Sequence, residues 1–299
     1  MCHSTLTLRA LLVCGACGCV SLAAATEAAP QPAETAELTW HTDYAEATQR
    51  AKLQQKMLFI FFHDKEPSRT RDLFETKSLV DENIHQRLGR FVLAKLPLDA
   101  AIPINGKMTR LLDHGAFAEM QKRQGVAVVD YANKQRDLYG YVVSTFPFPQ
   151  GRYYSPRTLS VILDLPQGTL TQRTMIYAVR MHPESPRSTR GRFLPILARE
   201  AQSHSTHQAR IRLQGHHNWD GRFHRINRWI PGGLLAQEVV AESWPNEGLL
   251  EACIDCVASW RQSPGHWSAV RSDQPVYGYD IKRGSNGIWY ATGIFGNRN

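Results

Sequence analysis

Six consecutive apolar residues, Met57-Leu58-Phe59-Ile60-Phe61-Phe62, constrain this chain more than any other stretch. A run of that length offers no polar position to turn toward water, so it suits a strand covered on both faces. Its flanks supply the cover. Upstream, Tyr44, Ala47, Ala51 and Leu53 give an amphipathic helix with Asp43 near its start. Downstream, a polar turn from His63 to Arg71 leads into a helix carrying Leu73, Phe74 and Leu79, and another helix runs from Asn83 to Leu88. Further strands are expected over 91–96, 126–130 and 139–143, and a helix over 156–164. A βαβ unit followed by a hairpin and a helix predicts an α/β sandwich.

The 299 residues suffice for two ordinary domains. The first stretch has its own character. Arg9 precedes a run of apolar and small residues ending Ser21-Leu22-Ala23-Ala24-Ala25. This pattern reads as a signal peptide over 1–25, cut near Ala25, and implies a secreted, periplasmic or envelope address. Cys17 and Cys19 leave a lipid-anchored form open, although neither follows a good lipobox. The run is too short for a comfortable membrane span, and no other stretch is long enough for one. Residues 26–38, rich in Ala, Pro and Glu, read as a flexible lead. Of the six cysteines only Cys253 and Cys256 lie beyond the signal, so core burial rather than a disulfide framework must hold the fold.

The formal charge is +8, and it is uneven. Between Arg173 and Arg228 stand eleven Arg, no Lys, and only Glu184, Glu200 and Asp220 as acids. Such a face either attracts anions or is simply solvated. A secretory address argues against nucleic acid as the partner.

Ala47, Ala51, Lys56 and Leu58 stand as the residues of a helix that feeds a buried strand. In this, residues 39–165 resemble the thioredoxin-like fold. That family's redox chemistry needs Cys-x-x-Cys after the first long strand, where a helix N-terminus activates the thiol. This chain has Asp64-Lys65-Glu66-Pro67-Ser68-Arg69 there, and Ala127 where the family places a cis-proline. The resemblance therefore implies the fold without the redox activity.

Leu165-Pro166-Gln167-Gly168 punctuates the chain, and no long linker follows, so two touching domains are expected. Helices are expected over 171–181, 194–213 and 247–260, then a hairpin of strands 275–280 and 288–295. Within this region lie His216 near Trp219, Gln237-Glu238-Val239-Val240-Ala241, Trp260-Arg261-Gln262-Ser263-Pro264-Gly265-His266, and the aromatic stretch Trp289 to Phe295. Taken in order, these pieces resemble the CAP superfamily of cysteine-rich secretory, antigen 5 and pathogenesis-related proteins, its bacterial branch above all. The resemblance covers residues 169–299 and implies an α-β-α sandwich with a cleft cluster of His216, Glu238 and His266. Gln237 and Val239 replace the family's Gly and Asn, and Ser263 stands where eukaryotic members often carry a second Glu. Glu242 could substitute for Glu238 if that segment is helical.

Two His and one carboxylate are enough protein ligands for zinc with an open fourth position. They could equally polarise a water in general acid–base chemistry. A binding or scaffolding module with a glycan, lipid or protein ligand is the leading expectation. The rival is a hydrolase, with or without a metal, acting on a peptide or cell-wall polymer. Trp219, Trp267, Trp289 and Tyr290 are candidate binding residues because aromatic walls stack sugars. Trp244 and Trp260 read as core or cleft wall. His204 and His207, three apart on a helix, have a spacing that could hold a metal or merely occupy a helix face. Cys253 and Cys256 leave a thiol oxidoreductase as a third reading, provided both thiols are reactive.

Overall fold

The structure is a computed structural model, and it describes residues 38–298. The predicted signal peptide and all but the last residue of the lead lie outside the described residues.

The first half builds a mixed sheet. In chain order come β1 (Trp40–His41), α1 (Tyr44–Gln54), β2 (Leu58–His63), α2 (Arg69–Leu73, continued by a π-turn, Phe74–Ser78), α3 (Glu82–Leu88) and β3 (Val92–Pro97). A small hairpin follows, β4 (Ala101–Ile104) and β5 (Lys107–Arg110), then β6 (Gly125–Val129), β7 (Val142–Pro147) and α4 (Pro156–Leu163). The strand order is β1-β3-β2-β6-β7. β2 pairs in parallel with β3 and antiparallel with β6. The apolar run that defines β2 is divided between two cores. Phe59 and Phe61 enter one, Leu58, Ile60 and Phe62 the other, and all five are fully buried. Period-two alternation and the helices covering both faces account for the lack of any polar residue among these five. α1 begins where Asp43 accepts the Glu46 N–H at 2.8 Å and ends at Gln55, which takes the left-handed conformation with φ 50°.

The strand expected over 139–143 lies instead at β7. Asp130 N–H donates to Tyr141 O and Gly140 N–H to Asp130 O, so 131–141 is the connection between β6 and β7. Gly140, at φ 82°, helps end it.

The second half builds a four-stranded sheet. Its elements are α5 (Leu170–Met181), β8 (Arg192–Phe193), α6 (Pro195–Ile211), α7 (Trp219–Asn227), β9 (Leu235–Glu242), α8 (Leu249–Gln262), α9 (Pro264–Arg271), β10 (Val276–Arg283) and β11 (Trp289–Asn297). The order is β8-β10-β11-β9, so β9 is an edge strand. α5 and α8 share a core with Val239, Ala241, Tyr279 and Phe295. α6 and α7 pack through Leu197, Ala201 and Ile226 against Ala236, Val276 and Ile294. Helices thus cover both faces of an α/β chain. α6 lies directly on β10 because residue 278 is glycine: a Cβ there would stand 2.3 Å from the Ala198 nitrogen.

One core joins the two sheets. Phe59, Val126 and Phe146 belong to the same buried cluster as Met175 and Ile176 of α5, Trp260 of α8 and Tyr279 of β10. Arg173 of α5 is fully buried in this seam. It donates to Ser144 Oγ on β7 at 2.7 Å and to the carbonyls of Leu165 and Pro166 at 3.0 and 2.8 Å. Burial pushes its pKa down to about 10.

Candidate functional site

The site begins with α6. The inner face of this helix carries Leu197, Ala201, His204, Ser205 and Gln208, all buried. Gln208 and His204 hold the loop that follows. Gln208 Oε1 accepts the Gly215 N–H at 3.1 Å, and its amide donates to Thr292 Oγ1 on β11 at 3.0 Å. His204 Nε2 donates to the Gly215 carbonyl at 2.9 Å. Both backbone polar groups of Gly215 are thereby tied to the helix, and His216 next to it is set in place.

Glu238 comes from the middle of β9. Its side chain is 1% exposed, yet it is ionised and saturated. Arg222 of α7 grips both oxygens, Nη1 to Oε1 at 3.1 Å and Nη2 to Oε2. His216 Nδ1 donates to Oε1 at 3.0 Å. His204 Nε2 stands 3.7 Å from the same oxygen. Burial alone would raise the carboxyl pKa. The hydrogen bonds from His216 and Arg222 and the Arg222 charge overcome this and hold it below its ordinary value. His204 responds the other way: burial pushes its pKa down to about 4, partly opposed by the Glu238 charge, so it is neutral near pH 7.

With Nδ1 committed to Glu238, the free lone pair of His216 is on Nε2. That atom faces His266 Nε2 of α9 at 3.4 Å, with the rings tilted by 38°. The His216 side chain is 43% exposed, so the pair opens to solvent. Burial, and next the proximity of His216, lower the His266 pKa. The structure thus brings His216, Glu238 and His266 into one chain of contacts, buried at the carboxylate and open at the imidazoles.

A direct three-ligand role does not suit Glu238, because Arg222 and His216 already occupy both its oxygens. Among the described residues, no group of three His, Cys, Asp or Glu is placed to hold a metal ion. The imidazole pair does suit one: its 3.4 Å separation matches the edge of about 3.3 Å between ligands of a tetrahedral zinc with bonds of about 2.0 Å. His216 and His266 would hold such an ion, with Glu238 orienting His216 from behind. Bound there, it would supply Lewis acidity and lower the pKa of a bound water.

Glu242 does not substitute for Glu238. The segment is a strand, and four residues along a strand carry a side chain about 13 Å away. The aromatic candidates are mostly internal. Trp267 is 5% exposed and donates to Glu184 at 3.1 Å; Trp289 is 7% exposed and donates to the Glu247 carbonyl at 3.0 Å. Tyr290 is fully buried and accepts a hydrogen bond from Asn286. Their rings fill space between elements and offer no stacking face. Trp219 is half-buried, with the Arg222 guanidinium 5.4 Å above its ring, so it positions the cation that holds Glu238. Trp244, by contrast, is 73% exposed rather than core or cleft wall.

Arg222 and His204 are the site residues that residue-by-residue reading undervalues. A signal for Arg222 exists. A glutamate in an otherwise apolar strand-like stretch must be buried with a cation, and Arg222 follows His216 in the same segment. His207 stays near the surface, bonded to Arg210 at 3.2 Å, and does not converge with His204 on a ligand.

Neither thiol is poised for redox work. Cys253 and Cys256 are free and fully buried, and burial pushes both thiols well above their ordinary pKa. At the turn after β2, Ser68 caps α2, Gln124 bonds Asp64 and Ser68, and Arg71 donates to the Asp64 carbonyl at 3.0 Å. These contacts tie the turn together, although the buried Gln124 Oε1 has no partner among the described residues.

No family model matches the chain, and no curated protein matches it. Among solved structures it is similar to an outer surface protein from Borrelia burgdorferi. The TM-score is 0.30 and the identity 19%, over 36% of this chain and 78% of that one. It is also similar to a thioredoxin from Thermus thermophilus, with TM-score 0.19 and 20% identity over 25% of this chain and 72% of that one.

Proposed function

We propose that this is a secreted or envelope-facing binding or scaffolding protein. Its redox-inactive thioredoxin-like half supports a CAP-like half, which engages a ligand through the cleft of His216, Glu238 and His266. The address rests on the N-terminal sequence. The sheet order β1-β3-β2-β6-β7 supports the first fold reading, and the four-stranded sheet with helices on both faces supports the second.

One observation carries the functional reading: Glu238 is held by Arg222 and His216 while the two Nε2 atoms face each other, with the His216 side chain 43% exposed. A carboxylate so saturated is a poor base and a good anchor. Among the described residues, no serine or cysteine side chain bonds either imidazole. Ser263 sits at the α8–α9 corner, where its backbone bonds carry the turn. A glycan, lipid or protein ligand contacting the imidazole pair is the consequence.

The hydrolase alternative has its own support. A buried carboxylate on Nδ1 with an outward Nε2 is how a general base is oriented, and the pair could instead carry zinc. Turnover separates the readings. Peptide and cell-wall polymer substrates should be processed no faster by the wild type than by His216→Ala. Hydrolysis that disappears in His216→Ala and falls in Glu238→Gln would replace the binding reading with the enzymatic one.

A further inference from the structure

The edge of the second sheet holds another concavity, whose lining includes none of His216, Glu238 and His266. It encloses roughly 490 Å³, and its walls come from two places. One is the stretch leaving β9: Glu242, Ser243, Trp244 and Pro245, with Ile288 beside them. The other is a stripe of α8: Asp255, Ala258, Ser259 and Gln262. Those four stand at i, i+3, i+4 and i+7, one helix face. They form the open flank of α8, beside its buried apolar face of Ala252, Cys253, Cys256, Val257 and Trp260. The stripe is small and hydrogen-bonding, and it runs about 10 Å at 1.5 Å per residue.

Trp244, on the other wall, is the unusual residue. The backbone around it is firmly fixed. Ser243 N–H donates to the Trp289 carbonyl at 2.9 Å, Trp289 N–H donates to Ser243 Oγ at 3.1 Å, and Ser243 Oγ donates to the Trp244 carbonyl at 2.7 Å. Asn246 N–H donates to the Gly287 carbonyl at 2.9 Å. The indole on this rigid turn is nonetheless 73% exposed. A large aromatic on a stiff mount, opposite a row of amide, hydroxyl and carboxyl groups, loses little freedom when a flat partner stacks on it.

Among the described residues, no lysine or arginine lines the concavity. In a chain of formal charge +8 this is a local reversal. Glu247, next to the site, has a buried Oε2 with no hydrogen-bond donor among the described residues and lies beside the Asp255 carboxyl. A ligand with uronate, sulfate or phosphate groups would meet like charge here.

We propose that this concavity is a saccharide subsite: Trp244 stacks on the apolar face of a neutral sugar ring while Asp255, Ser259 and Gln262 take its hydroxyl or acetamido groups. It stands independently of the imidazole cleft and of the CAP-like reading. A ring has one face poor in polar atoms and a rim of donors and acceptors, and the two walls are complementary to that division. A lysine-rich peptide would use the indole and the carboxylates and leave the serine and glutamine idle.

The test is calorimetric titration of the full chain with tetra-N-acetylchitotetraose, a heparin tetrasaccharide and pentalysine. The neutral sugar should bind and the heparin fragment should not compete with it. Trp244→Ala should weaken the sugar by about tenfold or more, with unchanged circular dichroism. Gln262→Ala should weaken it by a smaller factor, and His216→Ala should leave it within about twofold. No heat with the sugar up to about 10 mM overturns the proposal, as does equal affinity in Trp244→Ala. Displacement of the sugar by pentalysine would reassign the site to cationic peptides. Loss of binding in His216→Ala would move the sugar to the imidazole cleft.

Discussion

The chain handles a carboxylate in opposite ways at Glu238, within β9, and at Glu247, just beyond that strand. Glu238 is taken out of water and given a guanidinium and an imidazole, and its pKa falls. Glu247 is given another carboxyl, Asp255, and no cation. Burial, then the Asp255 hydrogen bond and charge, push its pKa up to about 7. The first arrangement makes a fixed anion that orients His216. The second makes a proton-sharing pair with lower charge. Environment, not residue type, assigns the role.

Removing the cation strikes the contrast hardest. Arg222→Ala leaves a buried carboxylate unpaired and should cost about 3–5 kcal/mol in urea denaturation. Arg222→Met with Glu238→Leu should recover much of the loss. A double variant no more stable than the single would show that the burden is not electrostatic.

Next in size is an acid effect from His204. Its folded pKa of about 4 lies below the ordinary 6.5, so the unfolded chain takes up a proton that the native state refuses. Stability from this source is present above pH 6.5 and is lost as pH falls toward about 4. His204→Gln should flatten that part of the pH–stability curve.

Glu247 gives a weaker slope of reverse sign. Its raised pKa means that the native state keeps a proton which the unfolded chain releases. Its contribution is present below pH 4.5 and fades as pH rises through about 7. Asp255→Asn should remove the slope while leaving the His204 effect intact. Smallest is Trp244→Ala, expected within about 0.5 kcal/mol of wild type in the same denaturation experiment, because the indole is mostly in water.

Legibility in the sequence follows the same physics. The apolar run of β2 was readable because burial on both faces leaves no ambiguity of period. Helices α5 and α8 were readable from spacing. Pro and Gly marked the break between α4 and α5 at Pro166-Gln167-Gly168. β7 was misplaced by three residues because Tyr139 and Tyr141 imitate strand alternation inside a connection. The brief hairpin β4–β5 was legible in Asn105-Gly106, which turns at φ 50° and 77°, but its short, largely exposed strands bury no face of their own. At the site, His216, Glu238 and His266 could be named, but their relation could not. The apolar setting of Glu238 calls for a cation, and proximity in sequence offers Arg222, but neither alone chooses a guanidinium over a metal. Nor does spacing distinguish the internal Trp289 from the exposed Trp244, since both flank strands of one sheet.

Ionised Glu238 fixes His216 with its proton on Nδ1, leaving an unprotonated Nε2 that faces His266. Long-range ¹H–¹⁵N NMR of the full chain at about pH 8, with His216→Ala for assignment, reads that tautomer directly. His216 should be an Nδ1–H tautomer in the wild type, and a mixture in Glu238→Gln. An Nε2–H tautomer in the wild type, or no change on removing the Glu238 charge, would contradict this role of Glu238.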